Sequence, residues 1–232
     1  MKTRMQPRMA GRLSGFLLVT TLLAAFSAGA AASAAEASFD EALLSIQHRW
    51  AEANYAQEGK AQKEAFASLL DDARELAKRN SDRAEALAWQ GIVASSYAGV
   101  KGPFGAMSLA KEARDALLAA ERLDPDALDG SVYTSLGVLY YKVPGGLIGF
   151  GDRDVARDYL EKALAANPEG IDPNYFYGEF LFEEKNYAAA REALLKARQA
   201  PARSDRPLAD EGRRSEISAL LARVENELQH SG

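Results

Sequence analysis

Two histidines, His48 and His230, are the whole imidazole content of this 232-residue chain, and it holds no cysteine. With one near the start and one near the end, no histidine pair, Ser-His-Asp triad or Cys/His metal cluster can be built from them. Gly145-Gly146 and Gly149-x-Gly151 have the composition of a phosphate-cradling loop. No strand pattern precedes them, no Gly-Lys-Ser/Thr follows, and the dinucleotide-binding spacing is absent. The carboxylate pairs Asp71-Asp72 and Glu183-Glu184 lie on helical segments, where adjacent side chains point about 100° apart and share no site. They read as solvated faces, while Glu161-Lys162, Arg191-Glu192 and Arg213 to Glu216 read as surface ion pairs of small energetic consequence. Neither catalysis nor a metal or cofactor is expected, which leaves binding.

Binding needs a surface, and the stretch that would build one runs from Tyr133 to Pro168. Ala156, Leu160, Ala163 and Pro168 are spaced 4, 3 and 5 residues apart, which sets small, large and small apolar groups on one helical face before a proline stop. Ala113, Leu117, Ala120 and Pro125 repeat this ladder, and Ala190, Leu194 and Ala197 repeat it with Pro201 one residue early. Each ladder follows a helical segment that carries a glycine among large apolar residues: Gln90-Gly91, Leu136-Gly137 and Tyr177-Gly178. A glycine inside a helix costs about 1 kcal/mol relative to alanine. Three at matching places predict points where a second helix comes too close for a β-carbon.

From Gly178 to Ala190, Leu194 and Ala197 the offsets are 12, 16 and 19 residues, and the ladders at Ala156 and Ala190 are 34 apart. These residues resemble the tetratricopeptide repeat, a helix pair recurring about every 34 residues. The resemblance implies an all-α fold, a right-handed superhelix of antiparallel helix pairs. Two units depart from it: Gly91 to Ala113 is 22 residues and Gly137 to Ala156 is 19, so the turns KGPFGAM and VPGGLIGFGD are insertions.

Lys2, Arg4, Arg8 and Arg12 precede an apolar run from Leu13 to Phe26 and small residues up to Ala34. That order predicts a cleaved signal peptide over 1–34, since a run of about 14 residues is short of the roughly 20 needed to span a bilayer. Periplasmic location is the expectation, with secretion as the alternative and no stable membrane anchor after cleavage. Removing four basic residues and no acids leaves 24 Lys and Arg against 33 Asp and Glu, a net charge of −9. So acidic a chain is a poor partner for nucleic acid or an anionic membrane.

The remaining periodicity predicts a helical hairpin over 35–81, its first helix from Phe39 to Ala56 with Ser38 or Asp40 near the start. Three repeats follow over 82–206 (82–126, 127–169 and 170–206), and a capping helix occupies 207–232. Ile217, Leu220, Leu221, Val224 and Leu228 form the apolar stripe of that last helix, with Glu216, Arg223, Glu225 and Glu227 on a polar outer face.

In tetratricopeptide proteins the first helix of each repeat lines the concave face. By register the resemblance carries that role to Thr134, Val138, Tyr141 and Lys142, to Tyr175, Glu179, Phe182 and Glu183, and in the first repeat to Ala88, Ile92, Ser95 and Ser96. Such a surface suits a protein or peptide partner, or a small ligand held under residues 144–151 as a lid. The insertions are the second candidate surface, with Phe104, Leu147, Ile148 and Phe150 either folding back on the helices or meeting a partner. The export signal and the two insertions are together similar to the T-component of tripartite (TRAP-type) transporters. That resemblance implies an accessory that docks on a periplasmic solute-binding protein.

Overall fold

Three helix crossings repeat the same atoms. A β-carbon added at Gly91 would lie 2.6 Å from Leu117 Cγ and 3.0 Å from Ala113 O. At Gly137 it would lie 2.7 Å from Leu160 Cγ and 3.3 Å from Ala156 O, and at Gly178 2.8 Å from Leu194 Cγ and 3.3 Å from Ala190 O. Each glycine therefore lets its helix press on the large rung of the following ladder, and the flanking alanines of each ladder are buried. The spacing read from the sequence is the packing rule of the fold.

The computed structural model describes residues 20–230, and the chain divides into two compact units, Met1–Glu41 and Ala42–Gly232. The described part is all-α: α1 (Thr20–Tyr55), α2 (Gly59–Arg79), α3 (Ala84–Lys101), α4 (Pro103–Leu123), α5 (Ser131–Lys142), α6 (Arg153–Ala166), α7 (Ile171–Glu183), α8 (Tyr187–Gln199) and α9 (Pro207–His230). Antiparallel pairs α3/α4, α5/α6 and α7/α8 stack in chain order, a helical solenoid of the tetratricopeptide type. Residues 1–19 of the expected leader lie outside the described residues. No described helix is long and apolar enough to cross a membrane.

Three elements differ from expectation. Helix α1 begins at Thr20, upstream of Ser38 and Asp40, because the intervening alanines are strong helix formers and nothing between Ser33 and Tyr55 breaks the helix. The KGPFGAM insertion is mostly not a loop. Its extra residues lengthen α3 to Lys101 and start α4 at Pro103, with the chain reversal confined to Gly102 and a kink at Phe104 and Gly105, where Gly102 and Gly105 have φ of 89° and 99°. Helix α9 does not keep Glu216 on an outer polar face. Ile217, Leu220, Leu221 and Val224 bury against α7 and α8 as expected, but α9 also meets the end of α1, and Glu216 faces that contact. Tyr55 lies so close that a β-carbon at Gly212 would be 2.3 Å from its ring.

The VPGGLIGFGD insertion is a true loop, pinned at its neck. Gly151 N donates to Pro144 O at 3.0 Å, and Asp152 N donates to Tyr140 O at 2.9 Å. Asp152 then caps α6, its carboxylate accepting from Asp154 N and Val155 N. A β-carbon at Gly151 would fall 1.8 Å from Val143 O, so the two legs of this loop approach as only glycine permits.

Candidate functional site

The first helices of the repeats, α3, α5 and α7, present one face to the interior of the second unit, and that face is roofed. The 42–55 part of α1 lays Trp50 over it: the indole Nε1 donates to Ser96 Oγ at 2.8 Å, and the Trp50 and Trp89 rings meet edge to face at 6.1 Å. His48 Nε2 donates to Asp205 O at 2.6 Å, tying α1 to the turn between α8 and α9. From the other side Tyr55 donates to Glu216 at 3.3 Å. The concave face is therefore partly covered rather than a fully open groove.

Three of the cavities among the described residues lie along it. The uppermost, about 580 Å³, sits under Val143 and Pro144 and is bounded by Lys142, Tyr175, Glu179 and Met107. The innermost, about 130 Å³, is lined by Trp50, Trp89, Ile92, Val138, Phe176 and the hydroxyls of Ser95 and Ser135. A third, about 380 Å³, continues from Trp89 and Ser131 outward to Asp129, Glu169 and Asp205.

An ion network borders these spaces. Asp172 Oδ1 accepts from Arg213 Nε and Asp172 Oδ2 from Arg203 Nη1, both at 2.8 Å. Arg203 also binds Asp210, and Arg213 binds Glu216 at 2.5 Å. The Arg213 guanidinium lies 4.4 Å from the ring centres of both Tyr175 and Phe176, a cation held between two aromatic faces. Burial pushes the Asp172 carboxyl up, but Arg213, Arg203 and Arg206 outweigh it and bring it down to about 2. Burial raises the Glu216 carboxyl despite Arg213 beside it.

The expected binding residues divide among these places. Val138 lines both the inner and upper cavities, and Thr134 beside it is buried, its hydroxyl donating to Gly130 O at 3.2 Å. Ile92, Ser95 and Ser96 line the inner cavity, while Ala88 is fully buried. Tyr175 and Glu179 bound the upper cavity, and Tyr141 stands behind, donating to Glu179 Oε2 at 2.5 Å. Burial and Glu179 raise the Tyr141 hydroxyl well above its usual value. Lys142 bridges Glu179 at 3.0 Å and Glu183 at 2.7 Å; burial opposes its charge, yet Glu179 and Glu183 hold its pKa up. Phe182 is set apart from a lid over Tyr141 and Lys142. It packs between the Tyr187 ring and the Arg223 guanidinium, because the end of α7 is drawn toward α8 and α9.

The insertions split in two. Phe150 folds back, its ring edge to face with Tyr140 at 5.7 Å and under the Arg114 guanidinium at 4.5 Å. Phe104, Leu147 and Ile148 point into solvent, 93 %, 108 % and 75 % exposed. The two insertions touch, since Met107 Cε would meet a β-carbon on Gly149 at 2.9 Å.

Sequence reasoning took Arg213 to Glu216 as a surface ion pair, but Arg213 is buried and holds Asp172 as well as Glu216; as site residues it passed over Trp50, Trp89, Arg203 and Arg206. A signal existed: the basic, proline-bounded turn from Pro201 to Pro207 has no role in a repeat ladder. The carboxylate pairs are neutralised as surface ion pairs, Asp72 by Arg49, Asp71 by Arg74, Glu183 by Lys142 and Glu184 by Arg153 and Arg157.

Stacked helix pairs crossing at equivalent glycines around a roofed interior define a helical-repeat protein. Residues 147–224, from the second insertion to α9, match the family model of the tetratricopeptide repeat. Two solved structures are similar to the chain. The crystal structure of MamA is 20% identical, with a TM-score of 0.42 over 74% of this chain and 94% of that one. Pseudomonas aeruginosa pilF is 18% identical, with a TM-score of 0.34 over 84% of this chain and 100% of that one. No curated protein matches the chain.

Proposed function

We propose that the chain is an exported, non-catalytic adaptor that docks on a protein partner through the paired insertions between its helices. The observation that carries this reading is the exposure of Phe104, Leu147 and Ile148 on two insertions in mutual contact, one of them locked at its neck by glycine close approaches. Large apolar groups exposed to water bury favourably at an interface. The leader pattern over 1–34 supports export, and a periplasmic solute-binding protein, by resemblance to the tripartite-transporter T-component, is the partner first in line. Replacing Phe104, Leu147 and Ile148 together by serine should abolish partner capture in the native host while leaving the melting temperature unchanged. Retention of the same partner by the triple variant would sink the proposal.

A second reading is favoured by the cavities: a small-ligand accessory, with the ligand inside the roofed face and the 144–151 loop over its upper end. The 580 Å³ space under Pro144 is the observation behind it. A molecule retained through purification and seen by native mass spectrometry would support it.

A further inference from the structure

We propose that the upper cavity is a binding site for a small apolar amine, whose ammonium group is received by Glu216, Tyr175 and Asn54. This names the ligand class and the place for the second reading above, and rests on it.

The hydrogen bonds of the cavity wall leave three acceptors unused. Tyr175 is only 7 % exposed, yet its hydroxyl, unlike that of Tyr141, has no hydrogen-bond partner among the described residues. It is not sealed inside the protein, as Trp89 Nε1 and Arg206 Nε are, and it opens on the cavity. Glu216 engages one oxygen: Oε2 accepts from Tyr55 at 3.3 Å and from Arg213 at 2.5 Å, and Oε1 accepts nothing among the described residues. The Asn54 amide, brought from α1, is half-buried, lines the same space and is likewise unpaired. Three acceptors suit the three N–H donors of a primary ammonium.

Charge selects a cation over a neutral or anionic head. Both positive groups of the wall are shared, Lys142 between Glu179 and Glu183, and Arg213 between Asp172 and Glu216. Followed outward, Glu179, Glu183 and Glu184 are balanced by Lys142, Arg153 and Arg157. Asp172, Asp205, Asp210 and Glu216 face only Arg203, Arg213 and Arg206, the last stacked on Trp89 at 5.1 Å. One negative charge is left over. It is felt in the cavity: burial raises the Tyr175 hydroxyl, and Glu179 and Glu216 raise it further against Arg213. Burial raises the Glu216 carboxyl too, with Glu179 adding to it. A single positive charge between these groups relieves both, whereas a carboxylate would be repelled by both.

The rest of the wall sets the body of the ligand. Trp50, Met107, Val138, Leu139, Val143 and Pro144 make it apolar. Its volume of about 580 Å³ lies within the range of about 300–1,000 Å³ usual for small-molecule sites, so a short chain or one ring fits inside.

Trp50 lines the cavity and is one of only two tryptophans in the chain, so intrinsic fluorescence reports on it. The purified full chain is titrated at neutral pH with hexylamine and phenethylamine by fluorescence and calorimetry. The uncharged hexanol and phenethyl alcohol and the anion hydrocinnamate are run alongside. At least one amine is expected to bind saturably, its alcohol and the carboxylate about tenfold or more weakly. Glu216→Gln should weaken the amine about tenfold or more, and Tyr175→Phe about threefold to tenfold. Tyr175→Phe removes a hydroxyl bonded to nothing, so the ligand-free melting temperature should be no lower than wild type, and this variant decides if Glu216→Gln fails to fold. Undiminished binding by Tyr175→Phe, equal binding of amine and alcohol, preference for the carboxylate, or no amine binding overturns the site. If native mass spectrometry then shows a retained neutral or anionic molecule, only this inference fails; if it shows none and nothing binds, the small-ligand reading fails with it.

Discussion

The outer layer and the inner face of the 42–230 unit are built on opposite plans. The outer layer is repetition: three ladders, three glycines, three crossings whose closest atoms are the same within 0.3 Å. The inner face is convergence of parts that occur once: Trp50 from α1, Trp89 from α3, Asp172 and Tyr175 from α7, and Arg203, Arg206 and Arg213 from the turn and α9. Repetition supplies stability and leaves nothing to specify a ligand. Individuality enters on the inner positions of the repeats' first helices, at the ends of the array and at its two insertions.

Breaking the convergent face should cost more than breaking one crossing. Arg213→Met strips Asp172 and Glu216 of a buried cation, and loss of one partner from such a network costs about 3 kcal/mol or more. Chemical denaturation should show it as a lower midpoint with an unchanged slope. A neutral result would mean that the network is ornamental to the fold.

The three crossings should respond alike. Valine at Gly91, Gly137 or Gly178 drives a β-carbon into the branch point of a buried leucine, and overpacking of this kind costs about 2 kcal/mol. If one of the three positions accepts valine without loss, the equivalence of the crossings is broken.

Acid separates the two regions without mutation. The Asp172 carboxyl, with an unperturbed value of 3.8, is held at about 2 in the fold. A folded value below the unfolded one stabilises the protein above about pH 4, and that contribution is lost as the pH falls from there toward 2. Each tenfold difference in acidity between the folded and unfolded chain is worth about 1.4 kcal/mol, so the contribution amounts to about 2 kcal/mol. Urea unfolding at pH 5 and pH 2.5 should reveal the loss, and Arg213→Met should shrink it.

The smallest effect has the opposite sign. Gly99 lies in α3 eight residues beyond Gly91, and a β-carbon there would meet nothing within 4 Å. Gly99→Ala should raise stability by about 0.5–1 kcal/mol, whereas Gly91→Val on the same helix lowers it. Paired melts of the two variants sharpen the comparison within one element.

This division also explains what the residues revealed before the structure. The crossings were legible because a ladder such as Ala156, Leu160, Ala163 has a period, and a period survives in one dimension. The hairpin α7/α8 and the apolar stripe from Ile217 to Val224 were readable for the same reason. The roof was not, because nothing in the spacing of Trp50, Trp89 and Arg206 says that residues 39 and 117 positions apart will meet. Register placed Val138, Tyr175 and Glu179 on the inner face but could not separate Phe182 from them, since its surroundings depend on where α9 docks. The insertion at Gly102 was misjudged in kind for a local reason: lengths count residues and do not say whether they continue a helix.

The central claim is that a partner meets the interrupted edge of the array, at the tips of its insertions. A photo-reactive benzophenone side chain in place of Ile148, Lys142 or, on the outer face of α8, Glu192 tests it in cells of the native host. The account predicts one dominant protein adduct from position 148, lost when Phe104 and Leu147 are serine, and none from position 192. An adduct from position 142 at the mouth of the upper cavity, with none from 148, would contradict it.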